Sequence, residues 1–231
     1  MRRTKFSSDE KSSGDGRMAV IMKIGFIGLG NMATAMIGGI LRKKIASPDQ
    51  IYGSARTRET EARLAQVQKI ITTGDNRRTA VEADILFLAV KPQFFEAVIK
   101  ELAGLDLHGK IVVSIAPGKS LAWLADCFRE KIPLARCMPN TPALAGEGCT
   151  TVCFSPEVSD RQKDAVMTIL ESFGRAWEIP EGLMDVAAGI GGCAPAWIFM
   201  LLEATADGAV AEGMPRPLAY EIAAQAVQGS A

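Results

Sequence analysis

The chain has 231 residues, 48% of them hydrophobic, with 26 Lys and Arg balanced by 26 Asp and Glu and a single histidine, His108. That is ample for a globular core, and the zero net charge removes the field that would draw the chain to nucleic acid or an anionic membrane surface. The five cysteines, Cys127, Cys137, Cys149, Cys153 and Cys193, have no paired C-x-x-C spacing and no histidine close by, so no metal site is expected and they read as free thiols in a reducing cytoplasm.

Residues 1–21 are polar and serine-rich, contain acidic residues and lack the apolar stretch of a signal sequence. They read as a disordered extension, or as a leader upstream of a start at Met18 or Met22. Residues 22–36 then read MKIGFIGLGNMATAM, an apolar run leading through Gly28-Leu29-Gly30-Asn31-Met32-Ala33 into a helical pattern. Strand, tight turn and helix N-terminus in that order suit a dinucleotide pyrophosphate. Gly28 supplies the turn, Gly30 lets the backbone approach the phosphates, and small Ala33 lets the helix lie close to the strand, with the free N–H groups of Asn31 and Met32 facing the anion.

Further strand-like runs follow at 50–54, 69–72, 84–90, 110–115, 134–138, 150–154 and 175–179, with helical stretches between them. This alternation predicts an α/β fold, a Rossmann-type doubly wound, mostly parallel sheet. The nearly continuous apolar runs 84–90 and 111–115 predict central strands lying beside the first one.

At the end of the second strand, where enzymes using NAD usually carry an acidic residue, the sequence is Gly53-Ser54-Ala55-Arg56-Thr57-Arg58. The hydroxyl of Ser54 and the guanidinium groups of Arg56 and Arg58 suit a 2′-phosphate, which predicts NADP (NADPH) as the cofactor. The plainer alternative is that both arginines sit in a solvated turn. Turns at Val90-Lys91-Pro92 and at Ala116 are expected to line the ribose and nicotinamide. The proline-bracketed turn Met138-Pro139-Asn140-Thr141-Pro142 is expected to border the nicotinamide through Met138, Asn140 and Thr141.

Past about residue 180 the strands give way to alanine-rich helices at 183–188, 195–212 and 216–231. The expected organisation is therefore an extension at 1–21, a dinucleotide-binding Rossmann domain at 22–180, and a smaller all-helical dimerisation or substrate domain at 181–231. The uncharged run 186–202 is short for a bilayer and is interrupted by Gly189, Gly191, Gly192 and Pro195, so a buried helix is expected and not a membrane span. Its scarcity of charge predicts burial against a second copy in a homodimer.

No lysine follows Lys163, and residues 181–231 contain no histidine, so no catalytic acid or base is assigned. Glu203 and Asp207, one helical turn apart, read as capping or interface groups. Hydride transfer to a C=N bond fits such a site, because an imine nitrogen can already carry its proton and the protein need only align the carbon and exclude water.

With these residues assembled, the chain resembles the pyrroline-5-carboxylate reductase family over 23–231. The resemblance rests on GFIGLGNMA, Ala89-Val90-Lys91-Pro92-Gln93, Ser114-Ile115-Ala116 followed by Gly118, Arg136-Cys137-Met138-Pro139-Asn140-Thr141-Pro142-Ala143, and Glu203-Ala204-Thr205-Ala206-Asp207-Gly208. It implies NAD(P)H-dependent reduction of 1-pyrroline-5-carboxylate to L-proline, a Rossmann domain followed by a helical domain that interlocks with a partner's, and larger assemblies of such dimers. Two departures stand out. Gly191-Gly192-Cys193-Ala194 replaces the family's Ser-Gly-Ser-Gly, and the family's later Ser-Pro-Gly-Gly-Thr-Thr turn, which holds the substrate, does not occur in these residues. The second departure implies that this 231-residue form binds cofactor but reduces the substrate poorly or not at all. The competing expectations are a noncatalytic NADP-binding, oligomer-forming remnant of the family, and a β-hydroxyacid dehydrogenase-like oxidoreductase, against which the missing lysine counts.

Overall fold

The computed structural model describes residues 22–231; the reading of 1–21 as an extension or leader lies outside them. Eight strands, β1 (Ile24–Ile27), β2 (Ile51–Ser54), β3 (Ile71–Thr73), β4 (Ile85–Leu88), β5 (Ile111–Ser114), β6 (Leu134–Met138), β7 (Gly148–Phe154) and β8 (Gly174–Glu178), arise from the eight strand-like runs. They form one sheet in the order β3-β2-β1-β4-β5-β6-β7-β8. All neighbouring pairs are parallel except β6 and β7. The link between those two is a short 3-10 turn, Thr141–Ala145, and parallel pairing would need a longer crossover.

Six helices cover the sheet: α1 (Asn31–Arg42), α2 (Arg58–Val67), α3 (Asn76–Glu82), α4 (Phe95–Glu101), α5 (Leu121–Phe128) and α6 (Asp160–Leu170). Because β1 and β4 are covered on both faces, all their residues are buried. One core contains Phe26 stacked on Phe87 at 4.9 Å between ring centroids, with Met36, Ile37 and Ile40 of α1 and Val166 and Ile169 of α6. The other joins Leu86 and Leu88 to Phe95 and Val98 of α4 and Leu124 of α5. The order departs from expectation in one respect: β4 lies beside β1, but β5 pairs with β4 and is one strand removed. The chain leaves β1 toward β2 and β3 on one side and returns on the other, so the crevice at its carboxyl end is the switch point where such sheets bind ligands.

After β8 come α7 (Met184–Ala187), α8 (Ala194–Ala211) and α9 (Arg216–Ser230). Against the expectation from the sequence, Gly189, Gly191 and Gly192 do not break the helix. Ala188–Gly192 is a π-helical turn, with the Cys193 amide donating to Ala188 at 3.0 Å, so one helical run extends over Glu181–Ala211. By length and composition that run could cross a membrane, and its apolar window is uncovered within the single chain. Trp197, Phe199 and Met200 are 58%, 62% and 69% exposed, so this helix is not buried by its own subunit.

Candidate dinucleotide site

The turn after β1 is tight and leads straight into the open N-terminus of α1. Gly28 has φ +98°, and a Cβ there would lie 2.8 Å from the backbone carbon and oxygen of Ala89. Only glycine meets both demands. Its amide donates to the Ser54 carbonyl at 2.9 Å, tying the turn to the end of β2. Leu29 is buried under Gly53, where an added Cβ would come 2.6 Å from a Leu29 methyl.

Gly30 is the N-cap of α1 and supplies no side-chain acceptor, so the first N–H groups, from Asn31 onward, stay available to an anion at the positive end of the helix. A Cβ on Gly30 would meet no atom within 4 Å. Asn31 is exposed, Met32 half-buried, and Ala33 sealed into the core at 1% exposure. Open space in front of an uncapped helix is the shape a pyrophosphate requires, so these residues fit a dinucleotide.

At the end of β2, Arg56 and Arg58 are exposed, and the Arg56 guanidinium lies 5.8 Å from the centroid of the half-exposed Phe94 ring. Arg58 opens α2, just after its N-cap Thr57. Ser54 differs from them. It is fully buried, and its hydroxyl donates to Asn76 Oδ1 at 2.7 Å, while the Asn76 amide donates to Glu101. A 2′-phosphate would have to compete with that bond.

Val90, Lys91 and Pro92 leave β4 at the same edge; Lys91 is exposed and the other two half-buried. Ala116, after β5, is 2% exposed, and its amide is already taken by Ser114 Oγ at 3.3 Å. After β6, Thr141 is exposed and Met138 half-buried. Asn140 is 7% exposed with both ends of its carboxamide engaged: Nδ2 donates to the Gly191 carbonyl at 2.9 Å, and Oδ1 accepts from the Cys149 amide at 2.8 Å. Both ends of the carboxamide are thus committed within the protein.

Sequence reasoning did not foresee the groups that fasten the helical segment to the sheet. Arg136, 7% exposed on β6, reaches Asp185 at 2.7 Å and Glu181 at 3.6 Å. Glu181 also accepts the amide of Leu121, the first residue of α5, at 2.7 Å. An arginine within the apolar stretch Leu134 to Met138 was the available signal, since a buried cation needs a carboxylate. Asp207, which the sequence offers as a capping or interface group, is paired with Arg216 at the start of α9 at 2.7 Å.

Three cysteines near this region, Cys137, Cys149 and Cys153, are held as thiols. Burial raises the Cys149 thiol, holds Cys137 well above the ordinary range and, with Glu181 close by, pushes Cys153 up to about 11. His108 precedes β5, at the sheet end opposite the glycine turn, and its backbone amide is held by Asp106 at 3.0 Å. A cleft of about 1020 Å³ between α5 and the outer strands opens at the start of β6 and the ends of β7 and β8, also away from the glycine turn.

Residues 23–118 match the family model for NADP oxidoreductase, coenzyme F420-dependent, and residues 181–231 that for pyrroline-5-carboxylate reductase dimerisation. The chain is 40% identical over 209 residues to the pyrroline-5-carboxylate reductase of Escherichia coli K12, covering 90% of this chain and 78% of that one. With the enzyme of Methanosarcina acetivorans it shares 37% over 213 residues, covering 90% and 77%. Among solved structures it is similar to Plasmodium falciparum pyrroline carboxylate reductase with NADP bound, at a TM-score of 0.83 and 30% identity, covering 90% of this chain and 77% of that one. The Coxiella burnetii reductase superposes at 0.85 with 29% identity, covering 90% and 78%.

Proposed function

The chain belongs to the pyrroline-5-carboxylate reductase family, and on that footing we propose that it reduces 1-pyrroline-5-carboxylate to L-proline with NADPH. The observation that carries this reading is identity of 40% with the Escherichia coli enzyme running through both the sheet and the helical segment. It joins an open cradle at Gly30, where a cofactor phosphate has room.

NADPH, when bound, supplies the hydride. The chain's own residues bind and align. Gly28 and Gly30 bring the backbone to the pyrophosphate, and the amides of Asn31, Met32 and Ala33 meet its charge. Arg56 and Arg58 hold the 2′-phosphate and so set the preference for NADPH, with Ser54 joining only if it releases Asn76. The loops at Val90, Lys91 and Pro92, at Ala116, and at Met138 and Thr141 border the ribose and nicotinamide. No acid or base is assigned: the one histidine sits at the far end of the sheet, and a protonated imine needs alignment and a dry site more than a proton donor.

The dimerisation match over 181–231 supports a homodimer in which the apolar face of α8 meets the partner, and larger assemblies would be built from such dimers. The division at residue 180 is supported by the change from strand to helix after Glu178. Free cysteines, among the described residues, support a reducing cytoplasm as the compartment.

The test is NADPH consumption with pyrroline-5-carboxylate. It should be run on the 231-residue polypeptide and on one extended by the segment of the Escherichia coli relative that lies beyond the match. Proline formation by either supports the reading. Cofactor binding without turnover in both would overturn it and leave a noncatalytic NADP-binding protein.

A further inference from the structure

We propose that Asn140 is a positioning residue for the hydride transfer, acting through Gly191: by anchoring that carbonyl it fixes where the Ala188–Gly192 turn stands against the nicotinamide end of the crevice. The proposal rests on the reductase reading above, but its premise is geometric.

Asn140 follows β6 at the sheet edge that carries the Gly28 turn and the Val90 and Ala116 loops. Adenosine-side groups lie at β2, so β6, on the other side of β1, marks the end toward which the nicotinamide points. Asn140 donates to Gly191 at 2.9 Å and accepts from Cys149 at 2.8 Å, so one planar group locks the turn after β6, the start of β7 and the helical segment together. The contact is tight. A Cβ on Gly192 would stand 2.8 Å from Met138 Cε, and one on Gly191 would stand 3.0 Å from Cys149 Sγ.

The anchored segment is the π-helical one, closed by the Cys193 to Ala188 bond at 3.0 Å. A π turn holds one residue more than the α-helix around it, and such turns recur at functional sites. Its Gly192 lies close against Met138, the last residue of β6 at that sheet edge, and the Asn140 bond sets how the turn stands there. The hydroxyl-bearing turn implied by the resemblance is replaced here by Gly191, Gly192 and Cys193. The backbone tie therefore carries the positioning that side-chain hydroxyls cannot.

Two variants separate this role from a general structural one. Asn140→Asp keeps an oxygen for the Cys149 amide but removes the N–H aimed at Gly191, and Asn140→Ala removes both. Each is compared with the unmodified protein by amide hydrogen exchange over 188–193 without ligand, by NADPH titration, and by kcat at saturating NADPH in whichever chain length turns over. The expected result is faster exchange confined to 188–193, NADPH affinity unchanged within about twofold, and kcat lower by about tenfold or more in both, since a shift of about 1 Å at a reacting centre can cost a hundredfold. Unchanged exchange and kcat in Asn140→Asp would overturn the proposal. So would a loss of NADPH affinity in proportion to kcat. Should neither variant melt cooperatively, Gly191→Ala, whose added methyl presses on Cys149 Sγ and shifts the same carbonyl away from an intact Asn140, carries the same expectations. Absence of turnover in every unmodified chain would sink the reductase reading and this proposal together, whereas normal turnover with insensitive variants sinks this proposal alone.

Discussion

Arg136 Nη2 lies 2.7 Å from Asp185 Oδ1, joining the sheet to the first turn of the helical segment, and the two partners pay unequal desolvation: the arginine side chain is 9% exposed and the aspartate 85%. Glu181, 3.6 Å from Nη1, provides a second carboxylate. Removing Asp185 alone leaves the buried cation with Glu181, and Asp185→Ala should cost about 1 kcal/mol. The Glu181→Ala and Asp185→Ala pair together strands that cation, and should cost about 3–5 kcal/mol, more than the two single losses summed. Urea unfolding of both single variants and the double checks this; strictly additive losses would show that the guanidinium finds no shared compensation.

Gly28 and Gly30 should respond oppositely to alanine. Gly28→Ala forces a left-handed backbone onto a residue with a Cβ and drives that carbon into Ala89, so stability should fall by about 2 kcal/mol or more. Gly30→Ala meets no atom within 4 Å and should leave stability within about 0.5 kcal/mol, while weakening NADPH by about tenfold or more because the methyl occupies phosphate space. Thermal melts and cofactor titration on the two proteins decide it; intact NADPH affinity in Gly30→Ala would remove the cradle from the binding site.

Arg56→Glu should weaken NADPH by about 1–3 kcal/mol and leave NADH nearly unaffected, since the lost charged hydrogen bond belongs only to the 2′-phosphate. Equal weakening of both cofactors in a titration would return Arg56 to the role of a solvated turn residue.

Burial raises Cys153 to about 11, whereas the same thiol in the unfolded chain titrates near 8.5. Between those values the unfolded state releases a proton that the folded state keeps, so this group's stabilising contribution is whole below about pH 8.5 and is lost as pH rises through about 11. Cys137, held high by burial, acts in the same direction. Chemical denaturation from pH 8 to 10.5 should show a decline that is shallower in Cys153→Ala; identical slopes would assign the decline to other groups.

Trp197 and Leu201, one turn apart on α8, stand 58% and 53% exposed, and Asp at either position should move the protein from dimer toward monomer in sedimentation experiments. An unchanged dimer would put the interface on another face.

The central strands β1, β4 and β5 were legible because parallel strands buried on both faces must be apolar throughout, and the Gly28 turn because its backbone angle excludes other residues. The glycines of 188–192 read as a break because glycine lowers helix propensity; tertiary packing on Met138 and Cys149 overrides it. Asn140 and Ser54 were recognised as polar residues at strand ends, a pattern that serves ligand binding and internal hydrogen bonding equally well.

The sequence by itself determined the sheet, the glycine turn and the apolar character of the last helices, all of which follow from local backbone limits and hydrophobic period. Tertiary structure decided which way the polar groups face. Asn140 and Gly191 are 51 positions apart, Arg136 and Asp185 are 49 apart, and Ser54 and Asn76 are 22 apart. A carboxamide, a guanidinium and a hydroxyl carry no mark of their partners in the chain; they are committed only when folding brings a matching donor or acceptor within hydrogen-bond distance and excludes water from between them.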